Sequence, residues 1–98
     1  MDLEVAILSA KNGDGAGLVK AMNEGGGAAS LLTVPGCHSV KALQGVENPG
    51  NVILLIEWDS AAAHEAGKQT DGFAGFVRIA GPWFGGPDGG SMQHFRLD

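Results

Sequence analysis

The amino-acid sequence predicts one α+β domain over residues 1–98, with the element order β-α-β-β-α-β of the ferredoxin-like split motif. Three observations support this prediction. Residues 52–56 form a continuous apolar run that is too short for a helix and has the length of a buried strand. Two strong helix N-cap residues, Asp59 and Ser60, follow that strand almost at once. Turn-forming Asn-Gly and Pro-Gly pairs then divide the rest of the chain into short elements without a linker.

The first half of the chain predicts a strand, a helix and a second strand. Residues 3–9 alternate as a strand does, and a glycine-rich turn leads to a helix over about residues 16–32. The three glycines at 25–27 each cost about 1 kcal/mol relative to alanine, which predicts a break or bend there. Pro-Gly at 35–36 turns the chain into a strand over residues 37–44. The apolar positions expected on one face of the first helix are Leu18, Val19, Met22, Ala29 and Leu32.

The second half predicts a hairpin, two helical segments and a closing strand. Residues 48–51 have proline and glycine at the positions that favour a type II turn, which joins strands two and three. Helical segments follow over residues 61–68 and 71–80, and Gly-Pro at 81–82 ends the second of them. Residues 92–97 form the last predicted strand.

The net charge and the cysteine content limit which binding partners and which cellular compartment are expected. A net charge of −5 without a basic cluster predicts no nucleic-acid partner and no anionic membrane surface. The lone Cys37 allows neither an intrachain disulfide nor a cysteine-based zinc site, which fits a reducing cytoplasm. The opening residues lack the basic and apolar segments of a signal peptide, so we expect a cytoplasmic location.

A small core predicts a homodimer. Seventeen glycines raise the entropy cost of ordering a chain of 98 residues. The apolar Gly-Pro-Trp-Phe segment at 81–84 is difficult for one subunit to cover. Association with a second copy would add the missing buried surface.

Several motifs together resemble the antibiotic biosynthesis monooxygenase family. The resemblance spans nearly the whole chain, and the Glu-Trp-Asp-Ser step at 57–60 followed by paired helices is its most specific part. It implies a dimeric α/β barrel, in which two ferredoxin-like sheets face each other. The matching segments are PGC at 35–37, ENPG at 47–50, LLIEWDS at 54–60, AHE at 63–65, TDGFAGF at 70–76, GPWF at 81–84 and QHF at 93–95.

The resemblance argues against the haem-degrading branch of that family. Its members need an axial histidine, a helix tryptophan and a first-strand asparagine. Here the first two positions hold Val77 and Gly67, and residues 3–10 contain no asparagine. The chain also lacks histidine spacing typical of a metal site and any nucleotide fingerprint, so we expect no metal and no cofactor.

The cofactor-free oxygenase branch fits better and implies the site residues. Such relatives hold a phenol with a strand-three tryptophan, an asparagine four residues earlier, a tyrosine six later and an arginine twenty later. Trp58 and Arg78 match, whereas Leu54 and His64 replace the asparagine and the tyrosine. Since an imidazole has a pKa near 6.5, His64 would accept a phenol proton at neutral pH. We therefore expect His64 and Trp58 as catalytic residues, with Leu54 and Arg78 at the substrate.

Other side chains complete the expected substrate site. Phe73 and Phe76 share the apolar face of the last helical segment, and Trp83 follows it. His38 is a second candidate base, because it shares a strand face with apolar residues. We expect this site to bind a small aromatic substrate together with O2.

Each candidate also has a plainer interpretation. Trp58 at a strand end is typical of packing, and His64 lies opposite Ala62 and Ala66 on its helix, which allows solvent exposure. Arg78 lies away from the apolar helix face, where a surface position is typical. His38 would then be structural and His94 a strand-pairing residue, while Cys37 would be an inert buried thiol.

The expected function is cofactor-independent oxidation of a small aromatic, phenolic or quinol-type metabolite. An alternative is a non-oxygenase binding protein or cyclase that uses the same site, and a third is a structural dimer without a ligand.

Overall fold

Four strands form an antiparallel sheet in the computed structural model, which describes residues 1–85 and 90–98. β1 (Asp2–Ser9) lies between β3 (Asn51–Trp58) and β4 (Gly90–Arg96), and β2 (Cys37–Gln44) pairs with the other side of β3. With the helices between them, the strands follow the predicted β-α-β-β-α-β order. The ferredoxin-like fold class is therefore confirmed.

The helices pack on one face of this sheet and form the core with it. They are α1 (Gly15–Asn23), α2 (Gly27–Leu31), α3 (Ala61–Gly67) and α4 (Asp71–Ala80), and short 3-10 turns lie at Lys11–Gly13 and Gly81–Trp83. In the part of the chain that the structure describes, no helix has the length and apolar character that crossing a membrane requires. The side chains of the sheet that join the core are Ala6, Ala42, Val52, Leu54, Ile56 and Trp58.

The first predicted helix is broken at the three glycines. Gly26 adopts a φ of 99°, a left-handed conformation that suits glycine, and a new helix starts after it. The break shifts the helical phase, because Leu31 is buried while Leu32 remains 48% exposed. Ala29 is also exposed, so the prediction that Ala29 and Leu32 share the buried face was wrong.

The turn that joins β2 to β3 differs from the predicted type. The Asn51 N–H donates to the Asn48 carbonyl at 3.0 Å, which closes a four-residue turn. Gly50 is not among the described residues with positive φ, as a type II turn would require. The type II prediction was wrong because Pro-Gly also accommodates turns with negative φ.

Two glycines let α4 lie close against α2. A Cβ at Gly72 would lie 2.3 Å from the Thr33 hydroxyl, and one at Gly75 would lie 2.3 Å from the Ser30 hydroxyl. The Ser30 hydroxyl donates to the Gly72 carbonyl at 2.7 Å across this contact. The close approach fixes α4, and with it the Phe73 and Phe76 rings, over the sheet.

Candidate functional site

A cavity of about 360 Å³ opens between the helix-bearing face of the sheet and the α3–α4 pair. Its volume lies within the range of roughly 300–1,000 Å³ that is typical of small-molecule sites. Most of the wall is apolar and comprises Ala6, Leu8, Leu54, Phe73, Phe76, Phe84 and Met92. The polar side chains that reach it are Glu4, Ser9, His64, Lys68 and Ser91.

Helix α3 carries His64 into this cavity. The Ser60 hydroxyl accepts from the Ala63 N–H at 3.1 Å, so the predicted N-cap is present. The Asp2 carboxylate accepts from the Ala61 N–H at 2.7 Å, which ties the start of the helix to β1. On this helix His64 is only 5% exposed. The interpretation of His64 as a solvent-exposed residue was therefore wrong.

Trp58 forms the support beneath His64. It is fully buried, and its indole ring stacks on the imidazole with centroids 4.8 Å apart and planes 13° apart. Its indole Nε1–H donates to Oε1 of Glu4 at 3.0 Å. Since Trp58 touches two residues of the cavity wall and is not itself part of that wall, it holds the site without facing a ligand.

Glu4 and His94 join His64 and were not expected as site residues. Glu4 is 7% exposed, and it lies opposite His94 in the β1–β4 register. Nδ1 of His64 lies 2.8 Å from Nε2 of His94 and 3.4 Å from Oε1 of Glu4. The sequence alone predicts only a strand-pairing role for His94. The sequence did hold one signal, since Glu4 places a carboxyl group on the same strand face as Ala6 and Leu8.

Burial lowers the pKa of His64 below its ordinary value of 6.5. The Glu4 carboxylate opposes this shift, whereas His94 and Lys68 add to it. The imidazole is therefore neutral at pH 7 and has a lone pair to accept a proton. Burial also raises the pKa of the Cys37 thiol to about 11, with Glu4 adding to the effect, so that thiol stays protonated.

The structure brings together some of the expected substrate-binding residues. Leu54, Phe73 and Phe76 all line the cavity, and the two phenylalanine rings meet edge to face with centroids 5.6 Å apart. Together they give the cavity an aromatic apolar wall, and the Phe73 ring lies 6.5 Å from the His64 imidazole between centroids. Phe84, from the apolar segment at 81–84, also lines the cavity and lies 6.0 Å from Phe76 between ring centroids.

Three other expected residues lie outside this cavity. Arg78 is exposed on α4, and Trp83 covers Gly17, where an added Cβ would lie 2.2 Å from the indole. His38 is exposed on β2 and is hydrogen-bonded through Nε2 to the Asp59 carboxylate. None of the three contributes to the cavity wall.

The described residues contain a group that could hold a metal ion. Glu4, His64 and His94 each offer one ligand atom, and these atoms lie within 4.8 Å of one another. Two imidazoles and a carboxylate suit a divalent transition metal. The sequence did not reveal this group, because its members come from β1, α3 and β4 and show no local spacing.

The fold and the cavity define a ferredoxin-like protein with an apolar site that includes Glu4 and His64, with His94 beside them. The sequence profile of the antibiotic biosynthesis monooxygenase family matches residues 4–79. The chain therefore belongs to the antibiotic biosynthesis monooxygenase family, as its motifs had indicated.

Similar solved structures share the fold at low sequence identity. A candidate antibiotic biosynthesis monooxygenase from Bordetella bronchiseptica has a TM-score of 0.84 at 19% identity, covering 99% of this chain and 96% of that one. A second candidate from Nitrosomonas europaea has a TM-score of 0.73 at 16% identity, with coverages of 98% and 97%. The protein PA3566 from Pseudomonas aeruginosa has a TM-score of 0.71 at 18% identity, with coverages of 99% and 94%. No curated protein matches the chain.

Proposed function

We propose that this single-domain protein is a cofactor-independent monooxygenase that oxidises a small phenolic or quinol-type aromatic molecule with O2. Membership of the antibiotic biosynthesis monooxygenase family supports a monooxygenase-like role. The observation that carries the finer proposal is the buried, neutral His64 at the polar end of an apolar cavity. A flat aromatic ring fits the wall formed by Phe73 and Phe76, and its hydroxyl group would then face the imidazole.

The proposed oxidation depends on a general base, because the deprotonated substrate itself supplies the electrons to O2. His64 takes the phenol proton, and the electron-rich phenolate passes one electron to O2. The substrate radical and superoxide then combine through a new C–O bond, and the peroxide accepts the proton back. When the O–O bond breaks, hydroxide and the proton on the ring carbon leave as water. One oxygen atom remains as a quinone carbonyl, and the substrate has lost four electrons to O2.

Oxygen uptake tests this function directly. Protein shown by elemental analysis and absorbance to contain neither metal nor flavin is mixed with a panel of phenols, quinols and polyphenols. We expect uptake of one O2 per quinone formed, with one labelled atom from ¹⁸O2 in the product. Activity that appears only after a metal or flavin is added would overturn the cofactor-free mechanism.

A second candidate function uses the same cavity without O2. A binding protein or a cyclase would need the apolar wall and the base but no access for oxygen. The observation that favours it is the position of Arg78, which matches the arginine expected at the substrate but is exposed on α4 and does not line the cavity. Substrate consumed under strict anaerobic conditions would favour this alternative.

We further propose that the protein forms a homodimer through the uncovered face of its sheet. The helices lie on one face, and the opposite face presents apolar side chains from each strand, of which Ile7, Leu43 and Phe95 are 46–50% exposed. Within the described residues no element packs over these positions. The Gly-Pro-Trp-Phe segment that first suggested a dimer is partly covered within the subunit, since Trp83 packs on Gly17 and Phe84 lines the cavity. If two copies pack with these faces together, the open face of each subunit is buried.

A charge placed on that face is expected to break the dimer. Ile7→Glu puts a carboxylate in the centre of the proposed interface, where its desolvation opposes association. Sedimentation at micromolar concentration should show a dimer of about 20 kDa for the wild type, twice its 10.0 kDa mass, and a monomer for the variant. Val77→Glu is the matched control, because Val77 is 44% exposed on the outer side of α4. A monomeric wild type would contradict the proposal.

The lone cysteine and the acidic charge balance support a cytoplasmic location and argue against nucleic acid as a partner.

A further inference from the structure

His94 lies where a proton leaving His64 would travel next. It stands on β4 directly across from Glu4, and it is partly exposed while His64 is buried. The two imidazoles meet edge to face with centroids 5.0 Å apart, and Nε2 of His94 is 2.8 Å from Nδ1 of His64. The pair therefore connects the buried His64 to the partly exposed His94 on strand β4.

The surroundings of His64 favour one position for the hydrogen on its ring. Glu4 Oε1 lies 3.4 Å from Nδ1 and already accepts the Trp58 indole N–H. A carboxylate can only accept hydrogen bonds, so a hydrogen on Nδ1 of His64 is favoured between Glu4 and His94. Nε2 then holds the lone pair, and it has no hydrogen-bond partner among the described residues. Nε2 is thus the atom that is free to meet a substrate hydroxyl.

We infer that His94 is the second member of a proton relay that carries the substrate proton from His64 to solvent. This inference rests on the proposed function of His64 as the base. The substrate hydroxyl proton moves to His64 Nε2, the Nδ1 hydrogen moves to His94 Nε2, and His94 releases its own Nδ1 hydrogen to water. No electron moves in these steps. The same steps in the opposite direction, from water through His94 and His64, return a proton to the peroxide formed from O2.

The charged groups around His64 define how the relay is biased. Glu4 on β1 stabilises the imidazolium ion that exists during transfer, while Lys68 and His94 oppose it, and Glu65 adds a weaker favourable charge from α3. Helix α4 contributes only the Phe73 ring here, 6.5 Å from the imidazole between centroids. Burial, the largest of these effects, also opposes a positive charge on His64.

Nitrogen NMR on histidine-labelled protein tests the relay without any substrate. We expect His64 in the Nδ1–H form in the wild type. His94→Gln should change that tautomer balance, because it removes the partner of Nδ1. Arg96→Gln is the control, since Arg96 lies two residues further along the same strand and is exposed. A His64 ring in the Nε2–H form, or one unaffected by His94→Gln, would overturn the relay. So would one tightly bound divalent metal per chain, because the metal would occupy the same nitrogen atoms.

Kinetics supply the second measurement. His94→Gln is expected to lower turnover by about 10-fold, less than loss of the base itself, because water can still accept some protons. Added imidazole should restore much of the loss in His94→Gln and should have no effect on the wild type or on Arg96→Gln. A loss that imidazole does not rescue, in a variant with unchanged thermal stability, would contradict the relay. If the wild type oxidises no substrate, the proposed function fails, while the tautomer measurement still decides the His64–His94 pair.

Discussion

Replacing His64 with glutamine is expected to lower turnover by about 100-fold or more, the usual contribution of a positioned general base. Glutamine retains a polar planar group of similar length, so it keeps part of the stacking on Trp58 and the contact with His94. Its amide cannot take a proton at neutral pH. We therefore expect the Michaelis constant to change little while the turnover number falls, as measured by initial rates of oxygen uptake.

The His64→Gln measurement needs a matched control, and one result would contradict the role of His64. Ala62→Gln places the same side chain on the exposed side of the same helix and is expected to retain wild-type turnover. Circular dichroism and thermal melting should show that both variants fold. Wild-type turnover in His64→Gln would exclude His64 as the base. His38, the other histidine considered from the sequence, would then be tested next, although it lies outside the cavity.

The pH dependence of turnover and of stability, compared between the wild type and His64→Gln, gives an independent test of His64. Burial lowers the pKa of His64 in the folded protein, whereas the unfolded chain has the ordinary value of 6.5. Turnover should therefore fall only when the pH drops through the lower, folded-state pKa. Between that value and 6.5 the unfolded chain binds a proton that the folded protein refuses, so the free energy of unfolding decreases as the pH falls. Above 6.5 this contribution is fully present. His64→Gln should lack this part of the pH dependence in denaturant titrations.

The parts of the fold that could be predicted have local causes. The run at 52–56, the Ser60 cap and the glycines at 25–27 act within a few residues, and each produced the expected strand, helix start or break. The errors also have local causes. Leu32 left the buried face because Gly26 reset the helical phase, and Gly50 accepts either sign of φ, so its turn type was not determined.

The candidate site could be predicted only in part, because its central cluster depends on sheet register. Trp58 and Glu4 are 54 residues apart, and His64 and His94 are 30 apart, so no local pattern connects them. Whether the His64 side chain points to the sheet or to solvent depends on which side of α3 faces the sheet. Ala62 and Ala66 suit a buried and an exposed face equally well, and the contacts that resolve the choice, from Ala61 to Asp2 and from His64 to Trp58, join residues of different elements.

Replacing Trp58 with alanine is expected to destabilise the protein by about 3–5 kcal/mol, the usual cost of truncating a buried aromatic residue. The side chain is fully buried, and its loss would leave a cavity beneath His64 and remove the indole hydrogen bond to Glu4. Such a loss is a large part of the roughly 5–15 kcal/mol by which small domains are stable. Urea denaturation measures it, and Trp83→Ala is the matched control. Because Trp83 is only partly buried, its loss should cost less.

Trp58→Phe separates packing from chemistry if the alanine variant does not fold. Phenylalanine keeps an aromatic ring against His64 but cannot donate to Glu4, so a buried acceptor loses a partner at a cost of about 1–3 kcal/mol. Since Trp58 lies behind the cavity wall, this variant is expected to retain most of its turnover. A folded Trp58→Phe protein with no activity would show that the indole takes part in the reaction itself. Retained turnover together with lower stability would establish Trp58 as the support that positions His64 and Glu4.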